Sequence, residues 1–113
     1  MSNNNCSNND YGIYLGYSKN NSISNNSCSN NKDGIELDHY SNNNSIWNNT
    51  FSNNRAYGIR ISFFWGSNNN LVYLNNFIDN TDNVYYSYSR RTNIWNSTEK
   101  ITYIHNGTTY KSY

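Results

Sequence analysis

The chain has 113 residues, a formal net charge of +1, no proline, and asparagine at about a quarter of its positions. That length suits one domain, and the scarcity of basic residues removes the phosphate neutralisation on which nucleic-acid binding depends. No apolar run is long enough to span a bilayer, and Met1 is followed by Ser2, Asn3, Asn4 and Asn5 instead of a basic and then apolar export segment.

Low hydrophobicity usually marks a disordered chain, but here the few aliphatic residues recur at fixed offsets, which a disordered tract has no reason to maintain. The repeat is roughly 22 to 26 residues long and is expected to form about four coils. Its clearest sign is a short alternating strand, first at Gly12-Ile13-Tyr14-Leu15, then at Gly34-Ile35-Glu36-Leu37, Gly58-Ile59-Arg60-Ile61 and, more weakly, Asn83-Val84-Tyr85-Tyr86. Period-two alternation sends Ile13, Leu15, Ile35, Leu37, Ile59 and Ile61 inward and Tyr14, Glu36, Arg60 and Tyr85 outward. The glycines suit places where a β-carbon would crowd a tight corner before each strand.

A second apolar series runs Ile23, Ile46, Val72 and Ile94, and a third runs Cys6, Cys28, Phe51 and Phe77. Stacked about 4.8 Å apart, such coils place like on like along a common core. Asparagine keeps register too: Asn9, Asn31, Asn54 and Asn80 follow the third series by three residues, and Asn26, Asn49 and Asn75 precede it by two. Asn tolerates left-handed backbone, and stacked side-chain amides can bond from coil to coil.

Extra residues collect at one turn. From the end of the Gly-Ile strand to the second series is eight residues at Leu15 to Ile23, nine at Leu37 to Ile46 and eleven at Ile61 to Val72. That turn carries Tyr17, then Tyr40, then Phe63, Phe64, Trp65 and Gly66. After Ile94-Trp95-Asn96 the pattern fails, with Glu99 where Phe belongs. Residues 1–98 are therefore read as the repeat domain. Residues 99–113 are read as a hairpin turning at Asn106-Gly107 that caps the coils or leads to something beyond Tyr113, so that the segment is cut short.

Over residues 3 to 98, in spacing, Asn-Asn steps and Gly-Ile strands, the sequence resembles the NosD-like and CASH-type repeats of the pectate-lyase-like superfamily. The resemblance implies an all-β, right-handed parallel β-helix (solenoid) at a cell surface or outside the cell. It leaves function open, because related solenoids serve as lyases, hydrolases, adhesins, stalks and a periplasmic copper-handling protein.

The residues themselves favour a non-catalytic structural or binding segment over a fragment of a polysaccharide lyase or hydrolase. A sugar-cleaving site needs clustered carboxylates, and the best cluster is weak: Glu36 and Asp38, with Arg60 as an ion-pair partner for Glu36 and no carboxylate stacked beside it. Asp10 and Asp33 read as solvated turn residues. Copper would need converging Met, His or Cys, and Met1, His39, His105, Cys6 and Cys28 fall at different repeat positions. No cofactor or metal is expected. Cys6 and Cys28 stack within reach of a disulfide, though buried thiols suit the ladder better. The Asn-x-Ser/Thr triplets at Asn20, Asn25, Asn43, Asn48, Asn96 and Asn106 are as many as such a composition throws up.

The candidate ligand edge is Tyr17, Tyr40, Phe64 and Trp65, an aromatic row able to stack on the sugar rings of a cell-surface polysaccharide. Other expected partners are neighbouring coils of a longer chain. Cys6, Ile13 and Leu15 are expected under an open end that would favour end-to-end association. Neither nucleic acid nor membrane insertion is expected.

Overall fold

The computed structural model describes residues 1–62, 66–86 and 93–95, together with the backbone of residues 101–105 and 108–112. The strands come in cycles of three. β1 (Asn5–Ser7), β2 (Tyr11–Gly16) and β3 (Ser22–Ser24) make the first turn; β4 (Ser27–Ser29), β5 (Asp33–Asp38) and β6 (Ser45–Trp47) the second. β7 (Thr50–Ser52), β8 (Tyr57–Ile61) and β9 (Leu71–Tyr73) make the third, and β10 (Asn76–Ile78) and β11 (Asp82–Tyr86) begin a fourth. Each strand pairs in parallel with its counterpart one turn away. Sheet 1 is β1-β4-β7-β10, sheet 2 is β2-β5-β8-β11 and sheet 3 is β3-β6-β9. The chain is a parallel β-helix of about three turns. Two further strands, β12 (Ile101–His105) and β13 (Thr108–Ser112), follow; the Asn106-Gly107 turn expected between them lies outside the described residues.

The inward residues are those the repeat marks. Ile13, Ile35, Ile59 and Val84 stack in sheet 2; Ile23, Ile46 and Val72 stack in sheet 3; Cys6, Cys28, Phe51 and Phe77 stack in sheet 1. Ile35, Leu37, Ile46, Phe51 and Ile59 are wholly buried. Of the residues expected under an open end, Ile13 and Leu15 are 4% and 5% exposed and Cys6 is half-buried. The backbone of Met1 and Ser2 lies along β3: the Ser24 amide donates to the Met1 carbonyl, and Ser2 bridges Ser24.

The Gly-Ile strands break alternation at their glycines, which lie inside the strands and not before them. A β-carbon on Gly34 would sit 2.5 Å from the Gly58 carbonyl oxygen and 2.7 Å from the Phe51 ring; one on Gly58 would meet Phe77 at 2.7 Å. Glycine is thus required by the close approach of coils beneath the core phenylalanines.

At the corners the Asn-Asn steps divide two tasks. The first residue takes the left-handed conformation, as at Asn8, Asn20, Asn25, Asn30, Asn43, Asn48, Asn53 and Asn69. The second turns its amide inward and bonds the coils together. The Asn26 backbone N and Nδ2 both donate to Asn49 Oδ1, at 3.0 and 2.9 Å, and Asn49 does the same to Asn75 Oδ1 at 2.9 and 3.0 Å. Each Nδ2 also reaches back to a carbonyl of the preceding coil, as Asn49 to Ile23 and Asn54 to Cys28. Parallel ladders run through Asn9, Asn31, Asn54 and Asn80 and through Asn21, Asn44, Asn70 and Asn93.

The last ladder corrects the sequence reading at the fourth coil. Ile94, taken as the inward partner of Val72, pairs instead with Leu71 and is 55% exposed. Trp95 packs against the core in its place. The register follows Asn93, which bonds Asn70 and stands two residues before the inward position, as Asn44 stands before Ile46.

Two isoleucines therefore carry opposite expectations. Ile35→Asp places an unpaired charge in the core and should cost several kcal/mol. Ile94→Asp should change stability by no more than about 0.5 kcal/mol. Thermal melts of both variants check this; a severe effect of Ile94→Asp would restore it to the core.

Candidate functional site

The outer face of sheet 2 brings together the ion pairs found among the described residues. In the middle coil β5 turns Asp33, Glu36 and Asp38 outward. Pairing sets Tyr11, Tyr14 and Gly16 beside them on β2 and Tyr57 and Arg60 on β8, with Ser62 just past its end. The sequence reading of this neighbourhood holds for position but not for exposure. Asp33, read as a solvated turn residue, is wholly buried, and Glu36 is 4% exposed. Both are covered because β5 is flanked on each side by a strand bearing long side chains.

Arg60 serves both buried acids, with Nη1 3.5 Å from Asp33 Oδ2 and Nε 3.6 Å from Glu36 Oε1. Neither separation is a hydrogen bond, and Asp33 Oδ2 and Arg60 Nε have no other hydrogen-bond partner among the described residues. The Tyr57 amide donates to Asp33 Oδ1 at 3.3 Å. Arg60 also lies 5.9 Å from the centroid of the Tyr85 ring, which packs on Tyr57. Burial pushes the Glu36 carboxyl above its ordinary value, with Arg60 pulling against it and Asp33 and Asp38 adding to it. The negative charge of Glu36, followed by burial, raises the Tyr11 hydroxyl.

Asp38 is the opposite case. Burial alone would raise its carboxyl, but the bonds from the Ser62 hydroxyl (2.6 Å) and the His39 amide (2.9 Å), with the His39 ring and the Tyr14 hydroxyl (3.3 Å), hold it below the ordinary carboxylate range. His39 Nδ1 is 2.7 Å from Asp38 Oδ2.

Asp38 leads directly into the aromatic corner. Tyr17 stacks on His39 with ring centroids 5.1 Å apart and stands 6.3 Å from Tyr40. Tyr17 and Tyr40 are 68% and 45% exposed. All three adopt left-handed backbone, with φ of 51° at Tyr17, 46° at His39 and 56° at Tyr40. Elsewhere among the described residues Asn or Gly holds such positions, apart from Leu74 and Asp79. Beside the corner is a half-open pocket lined by Met1, Tyr14, Leu15, Ser18, Asn21 and Ile23. Phe64 and Trp65, expected on the same edge, lie outside the described residues. A second outward aromatic pair that the sequence reading passed over, Trp47 and Tyr73, stacks on sheet 3 at 6.2 Å.

Comparison with known proteins decides the family. The pattern of the NosD family, described as periplasmic copper-binding protein (NosD), matches residues 1–112. The chain belongs to the NosD family. A crystal structure of the periplasmic alginate epimerase AlgG, as a double mutant, shares the fold with a TM-score of 0.59 and 23% identity. The match covers 73% of this chain and 23% of the epimerase, so the chain spans about a quarter of that enzyme's length. No curated protein matches.

Copper, named in the description of the NosD family, does not fit the side chains at hand. No group of three or more His, Cys, Asp or Glu converges among the described residues. Cys28 is fully buried, and burial pushes its thiol up to about 12, beyond the range in which a thiolate ligand forms readily. Cys6 and Cys28 are register partners and both are free thiols, in keeping with a role as small core residues.

The two carboxyls of β5 should respond to pH with opposite sign. A raised Glu36 contributes stability that is complete below the ordinary carboxylate range and lost as pH rises through its folded value. A lowered Asp38 contributes stability present above that range and lost as pH falls through its folded value. Glu36→Gln should therefore melt a few degrees higher than the parent near pH 8 and level with it near pH 4. Asp38→Asn should melt lower near pH 8, and the difference should shrink in acid. Melting curves across pH check both signs.

Proposed function

We propose that this NosD-family segment is a non-catalytic binding solenoid that holds a glycan at the corner formed by Tyr17, His39 and Tyr40. The observation that carries this reading is the conformation of the three aromatics. A left-handed backbone costs a bulky side chain about 1–3 kcal/mol and persists where the surroundings impose it, often at ligand sites. Here the cost holds two well-exposed rings outward, one coil apart, with Asp38 and His39 beside them as polar groups. A tyrosine face suits the apolar face of a pyranose, and the neighbouring carboxylate and imidazole suit its hydroxyls. Phe64 and Trp65 extend the same edge by their place in the sequence.

The NosD family is described as periplasmic, and the alginate epimerase AlgG is a periplasmic enzyme. That location supports an exported protein, and a cell-surface polysaccharide is then the partner that the corner would meet.

The enzyme reading draws on one observation, the row Asp33-Glu36-Asp38. Glycoside cleavage needs two accessible carboxyl groups flanking the bond. Asp33 and Glu36 are instead buried against one arginine, and Asp38 is held by Ser62, His39 and Tyr14. The carboxylates are thus occupied by their own neighbours, and Asp38 ties the end of β5 to Ser62 and to His39 of the aromatic corner.

Titration with a panel of neutral, acidic and amino-sugar polysaccharides, followed by intrinsic fluorescence, tests the proposal. Saturable binding is expected. It should weaken at least tenfold in Tyr17→Ala/Tyr40→Ala with the fold retained, and also in Trp65→Ala. Binding that survives the double substitution, or no binding across the panel, contradicts it.

A further inference from the structure

The Asn-x-Ser/Thr triplets divide sharply once they are placed on the coils. Asn20-Asn21-Ser22 and Asn43-Asn44-Ser45 occupy the corner before sheet 3, and Asn25-Asn26-Ser27 and Asn48-Asn49-Thr50 the corner after it. In all four the first Asn is exposed and left-handed, with φ of 59°, 57°, 55° and 55° respectively. The middle Asn gives its amide to the ladder. The third residue opens the next strand at the surface, with Ser22 and Ser27 exposed and Ser45 and Thr50 half-exposed. The asparagine and the hydroxyl two residues on thus stand at the surface while the amide of the residue between them is taken up by the ladder.

The fold does not demand this hydroxyl. At the third corner the same step, left-handed Asn then ladder Asn, is followed by Asp10, Lys32 and Arg55. In the third coil the positions of Ser45 and Thr50 are taken by Leu71 and Asn76. The ladder accounts for the Asn-Asn pair and not for the third residue, although the Ser22 hydroxyl accepts from Trp47 Nε1 at 3.3 Å. Ser or Thr nevertheless fills that position at both corners of both of the first two coils, on one side of the solenoid.

We propose that this side is a site of asparagine-linked glycosylation, with Asn20, Asn25, Asn43 and Asn48 as the acceptors. The co-substrate is a lipid-diphosphate-linked oligosaccharide. The Asn Nδ2 attacks the anomeric carbon, a C–N bond forms, and the C–O bond to the diphosphate breaks. The lipid diphosphate leaves with the electron pair, and one amide proton is lost to a base of the transferase. The acceptor nitrogens are accessible without unfolding, because the ladder holds the middle Asn and not the first. Asn48 Nδ2 donates to Asn25 Oδ1 at 2.5 Å and keeps an N–H for that bond after substitution. Acceptors at one corner lie one coil apart, about 4.8 Å, too close for a transferase to reach the second once the first is occupied. Each corner therefore takes one glycan. Asn5-Cys6-Ser7 is outside the proposal because Asn5 lies within β1, paired with Ser27.

The test is secretion of the full chain through a yeast pathway, with intact-mass measurement. Enzymatic deglycosylation, which leaves Asp at each occupied Asn, then maps the sites. One or two glycans are expected, confined to the four acceptors. Ser27→Ala/Thr50→Ala should abolish occupancy of Asn25 and Asn48 and leave the melting temperature and the other corner unchanged. A folded, secreted chain with no glycan, glycans only at Asn5, Asn96 or Asn106, or simultaneous occupancy of both acceptors at one corner would overturn the proposal.

Discussion

The structure depends on a buried side-chain amide that bonds in both directions along the axis. In the ladders on either side of sheet 3, Asn44, Asn70, Asn49 and Asn75 each accept two hydrogen bonds from the coil before through one oxygen and return Nδ2 to that coil's backbone. At the third corner Asn31 and Asn54 accept from a backbone amide alone. Corners of a solenoid leave backbone N–H and C=O groups that no strand partner satisfies, and an unpaired buried group costs about 1–3 kcal/mol. Asparagine carries a donor and an acceptor on one short planar group, so a column of them satisfies the corners of every coil. This explains how a chain with so few aliphatic residues holds a fixed fold. The apolar ladders fill the interior, and the amides fix the register.

Register in turn makes the outer surface. Because each coil stacks residue on residue, an outward side chain is always flanked by the side chains one turn away. Asp33 becomes buried not by pointing inward but by lying between Tyr11 and Tyr57, and Glu36 by lying between Tyr14 and Arg60, with Arg60 bridging the two acids. The same stacking brings Tyr17 against His39 at the turn where insertions are tolerated. Length varies there because the corner after the Gly-Ile strand is held mainly by Ser41 and Ser67, whose hydroxyls accept from the amides of Ser18 and Ser41. The amide ladder resumes only afterwards, at Asn21, Asn44 and Asn70.

Much of this was legible in the sequence, since solenoid periodicity maps directly onto contacts. The three apolar ladders, the outward face of the Gly-Ile strands and the pairing of Glu36 with Arg60 follow from counting residues. Two things escaped. The fourth coil slipped by one residue because Ile94-Trp95 imitates Ile46-Trp47, and hydropathy favours isoleucine as the inward residue. Asn93 held the correct register, and counting from asparagine instead of isoleucine would have found Trp95. The burial of Asp33 escaped because an acid at a turn reads as solvated unless the tyrosines and arginine of neighbouring coils are placed over it. The aromatic edge itself was legible as a row of rings at one turn, without any sign of its left-handed backbone.

Adjacent residues of one Asn-Asn step offer the most direct measurement of the central claim. Asn48 supplies a left-handed conformation that glycine can also adopt. Asn49 supplies the amide that bonds Asn26, Ile23 and Asn75. Denaturant unfolding of Asn48→Gly should match the parent within about 0.5 kcal/mol, whereas Asn49→Gly should lose about 3 kcal/mol or more, since it strands polar groups on both neighbouring coils. Equal and mild losses at the two positions would show that the amide ladder does not hold the coils together.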